Sequence, residues 1–354
     1  MTNLDAQQSN NQSTPQENAG QNPRIGRGAL EPEKRLTCYP DSQQQLHQLW
    51  VLYDNRPLLT YCAHQTQKYP YFSPVSGPVS GLPLTTEAAR PYPHHRGIFF
   101  GMDRIDAAGE TGHGFWDGTT KGGQIISQGP AFAQENGQYK ITENSAEFVD
   151  HCLWKRGTQD PIIEDRRRFT VNVLDSRRYI LDVDILWRML TEITMRKTNH
   201  GLFGVRCAPD IAPAPYGSGI LENSEGRQGS WCDKSPGGRR ANMEDGKSIK
   251  GVHGHPARWM AFYGRRAMLK EEVVEGIAMF CPSKAPHPAF ENCPWFTRDY
   301  GNFSPMPMHW FDPEKPLVLP EGEEIRLRYR IVAFAGTPAE AGLDALWEDF
   351  DQAG

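Results

Sequence analysis

Alternation of apolar and polar residues along short stretches constrains the fold of this chain more than any other feature. In residues 181–189 every second side chain is apolar, from Leu181 to Met189, and most of those between are charged. Residues 325–333 repeat the pattern, with three arginines on the opposite face. Successive side chains of a strand point to opposite faces, so this period indicates strands with one buried face. It predicts antiparallel sheets, because the helices that a parallel sheet needs between its strands are missing.

Shorter segments extend this pattern along the chain. We predict further strands at 47–53, 58–62, 123–128, 147–154, 166–174, 203–207, 259–263 and 273–281. The 34 glycines and 28 prolines supply the turns that separate them. Two sheets that pack face to face bury one side of each. We therefore expect an all-β fold, a large antiparallel two-sheet β-sandwich.

The two ends of the chain differ from this pattern. Residues 1–34 are polar and rich in Asn, Gln and Ser, so they predict a disordered tail before a single domain at 35–354. Near the C-terminus, Thr337 can cap a helix in which Pro338 takes the first position and Glu340 completes a capping box. The apolar stripe from Leu343 to Phe350 predicts one helix that packs on the sandwich.

Composition excludes several function classes. The formal net charge is −5 and no long basic run exists, which argues against a nucleic-acid partner. No stretch of 18 apolar residues predicts a membrane span, and the first residues lack the features of a secretory signal. The seven cysteines are scattered without a CxxC pair, which is typical of free thiols in a reducing compartment. We expect a cytoplasmic protein with no membrane partner.

Motif searches narrow the chemistry further. The sequence has no GxGxxG after a strand, no P-loop, no GxSxG elbow and no HExxH. Nucleotide hydrolysis, hydride transfer on a Rossmann fold and serine hydrolysis are therefore disfavoured, and we predict no cofactor. His253 and His255 could share a strand face and meet a metal, but no third ligand can be named, so we predict no metal site.

The first candidate site is Pro93-His94-His95-Arg96-Gly97, which enters an apolar run. Imidazole transfers protons near neutral pH, and a guanidinium can clamp a carboxylate or a diol. In an extended chain His94 and Arg96 would share one face and His95 the other. The alternative is a structural group of residues at a turn.

The second candidate lies in the polar loop 213–256, where Glu222, Asn223 and Glu225 follow one another closely. Loops of this length inside a domain are usually functional or disordered. Either glutamate could act as a general base. Local turn bonds from Asn223 would be the structural alternative.

The third candidate runs from His287 through Trp295 to Arg298, Asp299 and Tyr300. A tryptophan beside polar groups suits a sugar, whose C–H faces pack on aromatic rings. Pairing of Arg298 with Asp299 is the alternative. Two further histidines, His113 and His200, stand at strand ends, where a structural role is more common.

These motifs together resemble a bacterial family of unknown function that is often labelled PmoA-like or "methane oxygenase PmoA". The resemblance spans roughly residues 90–335. It is carried by His94-His95-Arg96-Gly97 through Phe115-Trp116, Gly201-Leu202-Phe203-Gly204-Val205-Arg206, Asn223-Ser224-Glu225-Gly226, Ala257-Arg258-Trp259, Gly276-Ile277-Ala278, His287-Pro288 and Arg298-Asp299-Tyr300-Gly301.

The resemblance implies a β-sandwich similar to galactose mutarotases and a setting in sugar catabolism. The family usually has a Gly-His pair where this chain has Gly101 and Met102, and His113 could substitute for that histidine. The oxygenase label fits poorly, because a particulate methane monooxygenase subunit is an integral membrane protein and this chain has no apolar span.

The leading hypothesis is a carbohydrate-active enzyme that hydrolyses, eliminates or epimerises a sugar or glycoside by His/Glu acid–base chemistry. Glu225 would be the base and His94 or His287 the acid. The remaining candidates would bind the substrate: His95, Arg96, Asn223, Arg298, Asp299, Tyr300, His200 and Trp295. A non-catalytic carbohydrate-binding or regulatory module is the alternative, and a metal-dependent oxygenase is a remote one. The enzyme hypothesis requires that the three motifs meet at one face of the sandwich.

Overall fold

The computed structural model describes residues 35–40, 47–117, 122–136, 138–230, 243–266 and 271–353. The predicted tail at 1–34, Cys232 and residues 231–242 of the predicted loop 213–256 lie outside them. The six described cysteines are free thiols.

One large sheet contains the strands that carry the first and third candidate motifs. Every neighbouring pair of its strands is antiparallel. In spatial order its eight strands are β1 (Leu36–Pro40), β2 (Gln48–Tyr53), β3 (Arg56–Cys62), β4 (Tyr71–Val75), β5 (Ile98–Met102), β16 (Gly201–Arg206), β23 (Asn302–Pro305) and β22 (Trp295–Arg298). Strands from three distant parts of the chain thus lie side by side at β5, β16 and β23.

The second large sheet contains the longest strands. It is also antiparallel, and β9 (Ala131–Phe132) joins it by pairing with β12 (Ser145–Lys155). The other strands, in spatial order, are β17 (Ile220–Asn223), β20 (Trp259–Arg265), β21 (Val274–Phe280), β25 (Glu324–Ala335), β14 (Arg178–Met189), β13 (Ile163–Asp175), β12 (Ser145–Lys155) and β8 (Gln124–Ser127).

Short elements complete the described structure. A four-stranded sheet has the order β24 (Leu317–Leu319), β15 (Ile193–Met195), β6 (Ile105–Ala107) and β7 (Glu110–His113). Two small hairpins pair β10 (Gln134–Glu135) with β11 (Gln138–Tyr139) and β18 (Met243–Glu244) with β19 (Lys247–Ser248). Three 3-10 turns span Pro209–Ile211, Pro288–Phe290 and Pro307–Trp310.

The two large sheets pack face to face through aromatic side chains. Phe203 of β16 stacks on Tyr329 of β25, with 4.8 Å between ring centroids, and Phe100 of β5 meets Trp187 of β14 at 5.7 Å. The alternating residues of β14 are buried as the sequence predicted, from Leu181 to Met189. The predicted all-β fold, with its two antiparallel sheets, is therefore confirmed.

The C-terminal helix differs from its prediction in one respect. The capping box of Thr337 and Glu340 is present, but the helix consists of α1 (Pro338–Ala341) and α2 (Leu343–Gln352). Gly342 interrupts it with a φ of 67°, which glycine adopts at little cost. Both helices cover the outer side of β25, so Val332 and Phe334 are buried there as well.

Candidate functional site

The outer side of the eight-stranded sheet holds the densest group of predicted site residues. Phe100 and Phe203 face the other sheet, so their neighbours Phe99 and Gly204 face outward, where they form a pair between β5 and β16. A Cβ on Gly204 would lie 3.1 Å from the Phe99 ring and 3.5 Å from that of Trp116. The lack of a side chain at Gly204 therefore allows both rings to pack against β16. We call this surface, with the side chains that surround it, the histidine face.

A turn before β5 brings two histidines onto the histidine face. The backbone N–H of His95 donates to the Tyr92 carbonyl at 3.1 Å, so this segment is not extended. As a result the His94 and His95 rings meet edge to face with 4.5 Å between centroids. Arg96 contacts Gln67 and Tyr71, and Tyr71 pairs with the outward-facing Phe99 across β4 and β5. The expectation that His95 points to the opposite face from His94 was therefore wrong, because it assumed an extended chain.

His95 lies in an aromatic cage beneath the surface and is only 4% exposed. The rings of Phe99, Trp116, Tyr92 and Tyr300 surround it at 5.5–6.1 Å. Burial, together with repulsion from nearby cationic groups, lowers the pKa of His95 to about 2. This ring is therefore neutral at every pH at which the protein would act.

The depressed pKa of His95 predicts a loss of stability in mild acid. The unfolded state binds a proton below about pH 6.5 and the folded state does not, so the contribution is complete above pH 6.5 and falls with pH toward 2. We expect His95 alone to remove roughly 2 kcal/mol from the free energy of unfolding between pH 7 and 5. Urea denaturation of wild type and His95→Phe at both pH values measures this. Equal pH dependence in the two proteins would contradict the prediction.

His200 is paired with a carboxylate at the edge of the histidine face. Its Nδ1 lies 2.7 Å from Oδ2 of Asp103, and Asp103 also accepts from the Thr198 hydroxyl. A carboxylate only accepts, so in the neutral imidazole the proton is on Nδ1 and the lone pair on Nε2. The ring of His200 stacks on Trp116 at 5.8 Å. This arrangement is suited to a general base that is held in one orientation.

Two further groups on this surface can carry protons. Burial and the nearby charges of His200 and Arg206 lower the pKa of half-buried His94, so its imidazole is neutral at neutral pH. Burial raises the pKa of Tyr300 to about 12 and outweighs the opposing effects of Arg298 and Arg206, so the phenol stays protonated. Tyr300 can therefore donate a hydrogen bond to a ligand.

A row of polar side chains crosses the histidine face. Asn302 of β23 pairs with Arg206 of β16 on one side and with Arg298 of β22 on the other. Directly paired residues of antiparallel strands share a face, so two guanidinium groups flank one amide. The guanidinium carbon of Arg206 lies 4.4 Å from the centre of the Tyr300 ring.

Aromatic residues beyond Arg298 continue this surface. The Arg298 guanidinium lies 3.7 Å from the centre of the Phe296 ring, and Phe296 meets His309 at 5.1 Å. Burial and the charges of Arg298 and Lys197 lower the pKa of His309 to about 4. His309 was not among the predicted site residues.

The structure brings His94, His95, His200, Arg298 and Tyr300 together. Asp299 and Tyr300 lie in the turn that follows Arg298, the last residue of β22, and leads to β23. Glu225 belongs to a turn beside β17 of the other sheet, where the Asn223 side chain accepts from the backbone N–H groups of Glu225 and Arg227. The local turn bonds from Asn223, which were the alternative to a functional role for this loop, are thus present.

Two candidates of the third motif have structural contacts. Nδ1 of His287 accepts from the Ala289 backbone N–H at 3.1 Å and caps a 3-10 turn. Trp295 is fully buried and donates to the Ala257 carbonyl at 3.0 Å. The expectation that Trp295 offers a ring to a sugar was therefore wrong, because its ring packs inside the sandwich.

A cavity of about 330 Å³ has none of these histidines in its lining. Residues from both large sheets, from β-strand ends and from α2 line it. They include Glu225, Arg258, Cys281, Cys293, Tyr329 and Trp347. Burial raises the pKa of Cys281 and of Cys293, so both thiols are protonated.

The two histidines that were considered for a metal, His253 and His255, each have a hydrogen-bond partner among the described residues. His253 accepts from the Thr297 backbone N–H, whereas His255 bonds the Ser248 carbonyl. His113 is buried in β7. Across the described ranges, no group of three or more His, Cys, Asp or Glu side chains could hold a metal ion.

The chain matches a protein family over most of its length. Residues 48–348 match DUF6807, a family of unknown function. No curated protein matches the chain. A GalM/aldose epimerase homologue from C. elegans has a similar structure at 9% identity and a TM-score of 0.25, covering 83% of this chain and 96% of its own. Within the described part of the chain, no helix is long and apolar enough to cross a membrane.

Proposed function

We propose a function for this chain, which belongs to the DUF6807 family of unknown function, from the groups that meet on its histidine face. The protein is an enzyme that moves a proton on a small polar ligand, of the size and kind of a sugar or glycoside. The observation that carries the proposal is the convergence of the His200–Asp103 pair with His94 and Tyr300.

His200 is the general base in this proposal. Its Nε2 lone pair takes a proton from a C–H or O–H group of the ligand, and Asp103 stabilises the imidazolium that forms. Tyr300 or His94 donates to the oxygen on which negative charge develops. Glu225 takes no part, since its turn lies at the other sheet.

The surroundings of the histidines favour a sugar. Tyr92 is 43% exposed and packs against Tyr300, with 4.9 Å between ring centroids. Such rings pack on the C–H faces of a pyranose, while imidazole, phenol and amide groups bond its hydroxyls. Hydrolysis, elimination and epimerisation all begin with the proton transfers that this group of residues can perform.

Turnover of a panel of sugars tests the proposal. We expect wild-type protein to convert at least one free aldose, methyl glycoside or uronic acid in D2O, as followed by NMR. Anomer exchange, deuterium at carbon and bond cleavage distinguish the reaction classes. His94→Ala is expected to lower the rate by roughly 10²-fold or more, the usual contribution of a proton-transferring group.

Glu225→Gln is the matched control, because it replaces a carboxylate in the turn beside β17 of the other sheet. We expect it to keep the wild-type rate. Loss of turnover in Glu225→Gln with full activity in His94→Ala would overturn the assignment. Binding of a sugar without any conversion would show a binding module instead of an enzyme.

A further inference from the structure

Among the described residues, Arg206 is a buried cation without an anionic partner. It is 2% exposed, and one bond, from Nη2 to the Arg90 carbonyl at 3.0 Å, is its hydrogen bond within the described residues. Its Nε and Nη1 atoms are buried and have no partner there. Burial lowers the pKa of Arg206, and no described carboxylate offsets this effect. Natural proteins rarely bury a charge unless it is paired.

The neighbouring Asn302 side chain also lacks hydrogen-bond partners among the described residues. Its side chain is 1% exposed, and neither the amide nitrogen nor the amide oxygen has a partner among the described residues. Asn302 is paired directly with Arg206 across β23 and β16. Two buried side chains therefore leave several hydrogen-bonding atoms unsatisfied at one position. A native site of this kind requires a partner beyond those that the described residues supply.

The charges around this position select the kind of partner. Arg298 pairs with Asn302 from the other side, so a second guanidinium lies on the same face. His94 and His95 are neutral at neutral pH and add no charge of their own. A ligand group that satisfies Nε and Nη1 of Arg206 must accept hydrogen bonds, and a negative charge compensates the buried cation.

We propose that Arg206 and Asn302 bind an anionic group, carboxylate or phosphate, of the ligand that the histidines act on. This inference rests on the proposed function for the site that it shares, and it narrows the ligand to an acidic sugar. The ring of Tyr300 covers the guanidinium, so binding of the anionic group requires the Tyr300 side chain to move aside. Tyr300 stands before Gly301 in the turn between β22 and β23, and Gly301 has a φ of 92°.

Thermal unfolding with matched sugars tests the inference. Glucose, glucuronate and glucose 6-phosphate differ mainly in the anionic group, and chloride keeps the ionic strength equal. We expect at least one anionic probe to raise the Tm of the wild-type protein by about 5 °C near saturation, and glucose to have no such effect. A shift with glucuronate alone would indicate a carboxylate ligand, and a shift with glucose 6-phosphate alone would indicate a phosphate ligand.

Arg206→Met removes the charge and keeps the length of the side chain. We expect it to abolish the shift and, without ligand, to match or exceed the wild-type Tm, since it eliminates an unpaired buried cation. Arg326→Met is the control: this exposed arginine pairs with Asp184 on the other sheet, and the shift should persist.

Three outcomes overturn the inference. They are an equal shift with glucose, a shift that survives Arg206→Met, and no shift with any probe. The proposed function fails separately. Turnover of a neutral sugar by Arg206→Met would refute only the anionic ligand, and binding of the anion without turnover would refute only the enzyme.

Discussion

Asp103→Asn is expected to lower turnover roughly 10²- to 10⁴-fold with little change in stability, the range found for groups that orient a catalytic histidine. Asp103 accepts from Nδ1 of His200 at 2.7 Å. An asparagine amide can donate to this nitrogen, which moves the proton to Nε2 and removes the lone pair that faces the ligand. The imidazolium also loses its compensating charge.

The measurement is kcat and its pH profile on whichever sugar the wild-type enzyme converts. A merely structural role would change Tm and leave the profile alone, whereas loss of the base changes the pH dependence of kcat. Asp184→Asn is the matched control, since Asp184 is bonded to Arg326 on the outer side of the other sheet. If Asp103→Asn retained both the rate and the profile of the wild-type enzyme, His200 would not be the base.

Most of the fold could be predicted from the sequence, because strand alternation is a local property. β12, β13, β14 and β25 each have long period-2 patterns and were recognised. The strands of the four-stranded sheet could not be, since three or four residues are too few to show a period. The break at Gly342 was also missed, because the capping box before it and the apolar stripe after it were assigned to one continuous helix.

The candidate site was predictable only in part, because it depends on pairing between distant segments. His94 and His200 were named from their chemical type, but Asp103 is 97 residues from His200 and nothing local marks it. Arg206 offered a usable signal. The alternation of Phe203, Val205 and Cys207 places the residue between the last two on the outer face of a buried strand, where an arginine is unusual. Glu225 was misplaced because a loop sequence does not indicate which sheet edge it occupies.

The sandwich beneath the histidine face contains a buried ion pair between Asp165 and Arg167. Loss of one partner should strongly lower the free energy of unfolding. Asp165 is fully buried on β13 and accepts from Nε of Arg167 at 2.6 Å, from its Nη2 at 2.9 Å and from Trp154 Nε1 at 2.6 Å. The Arg167 guanidinium lies 5.5 Å from the ring centre of Phe100. Phe100 is the chain neighbour of Phe99, which belongs to the histidine face. Each charge is tolerated only because the other is present.

Asp165→Ala is expected to reduce the free energy of unfolding by about 3–5 kcal/mol, because it leaves the guanidinium of Arg167 buried without its partner and creates a cavity. Urea denaturation measures the loss. Asp184→Ala, which breaks the exposed pair with Arg326, should cost about 1 kcal/mol or less. The double change Asp165→Leu with Arg167→Met should recover most of the stability, since it removes both charges at similar volume. A double variant no more stable than Asp165→Ala would show instead that packing around Trp154, and not the unpaired charge, sets the loss.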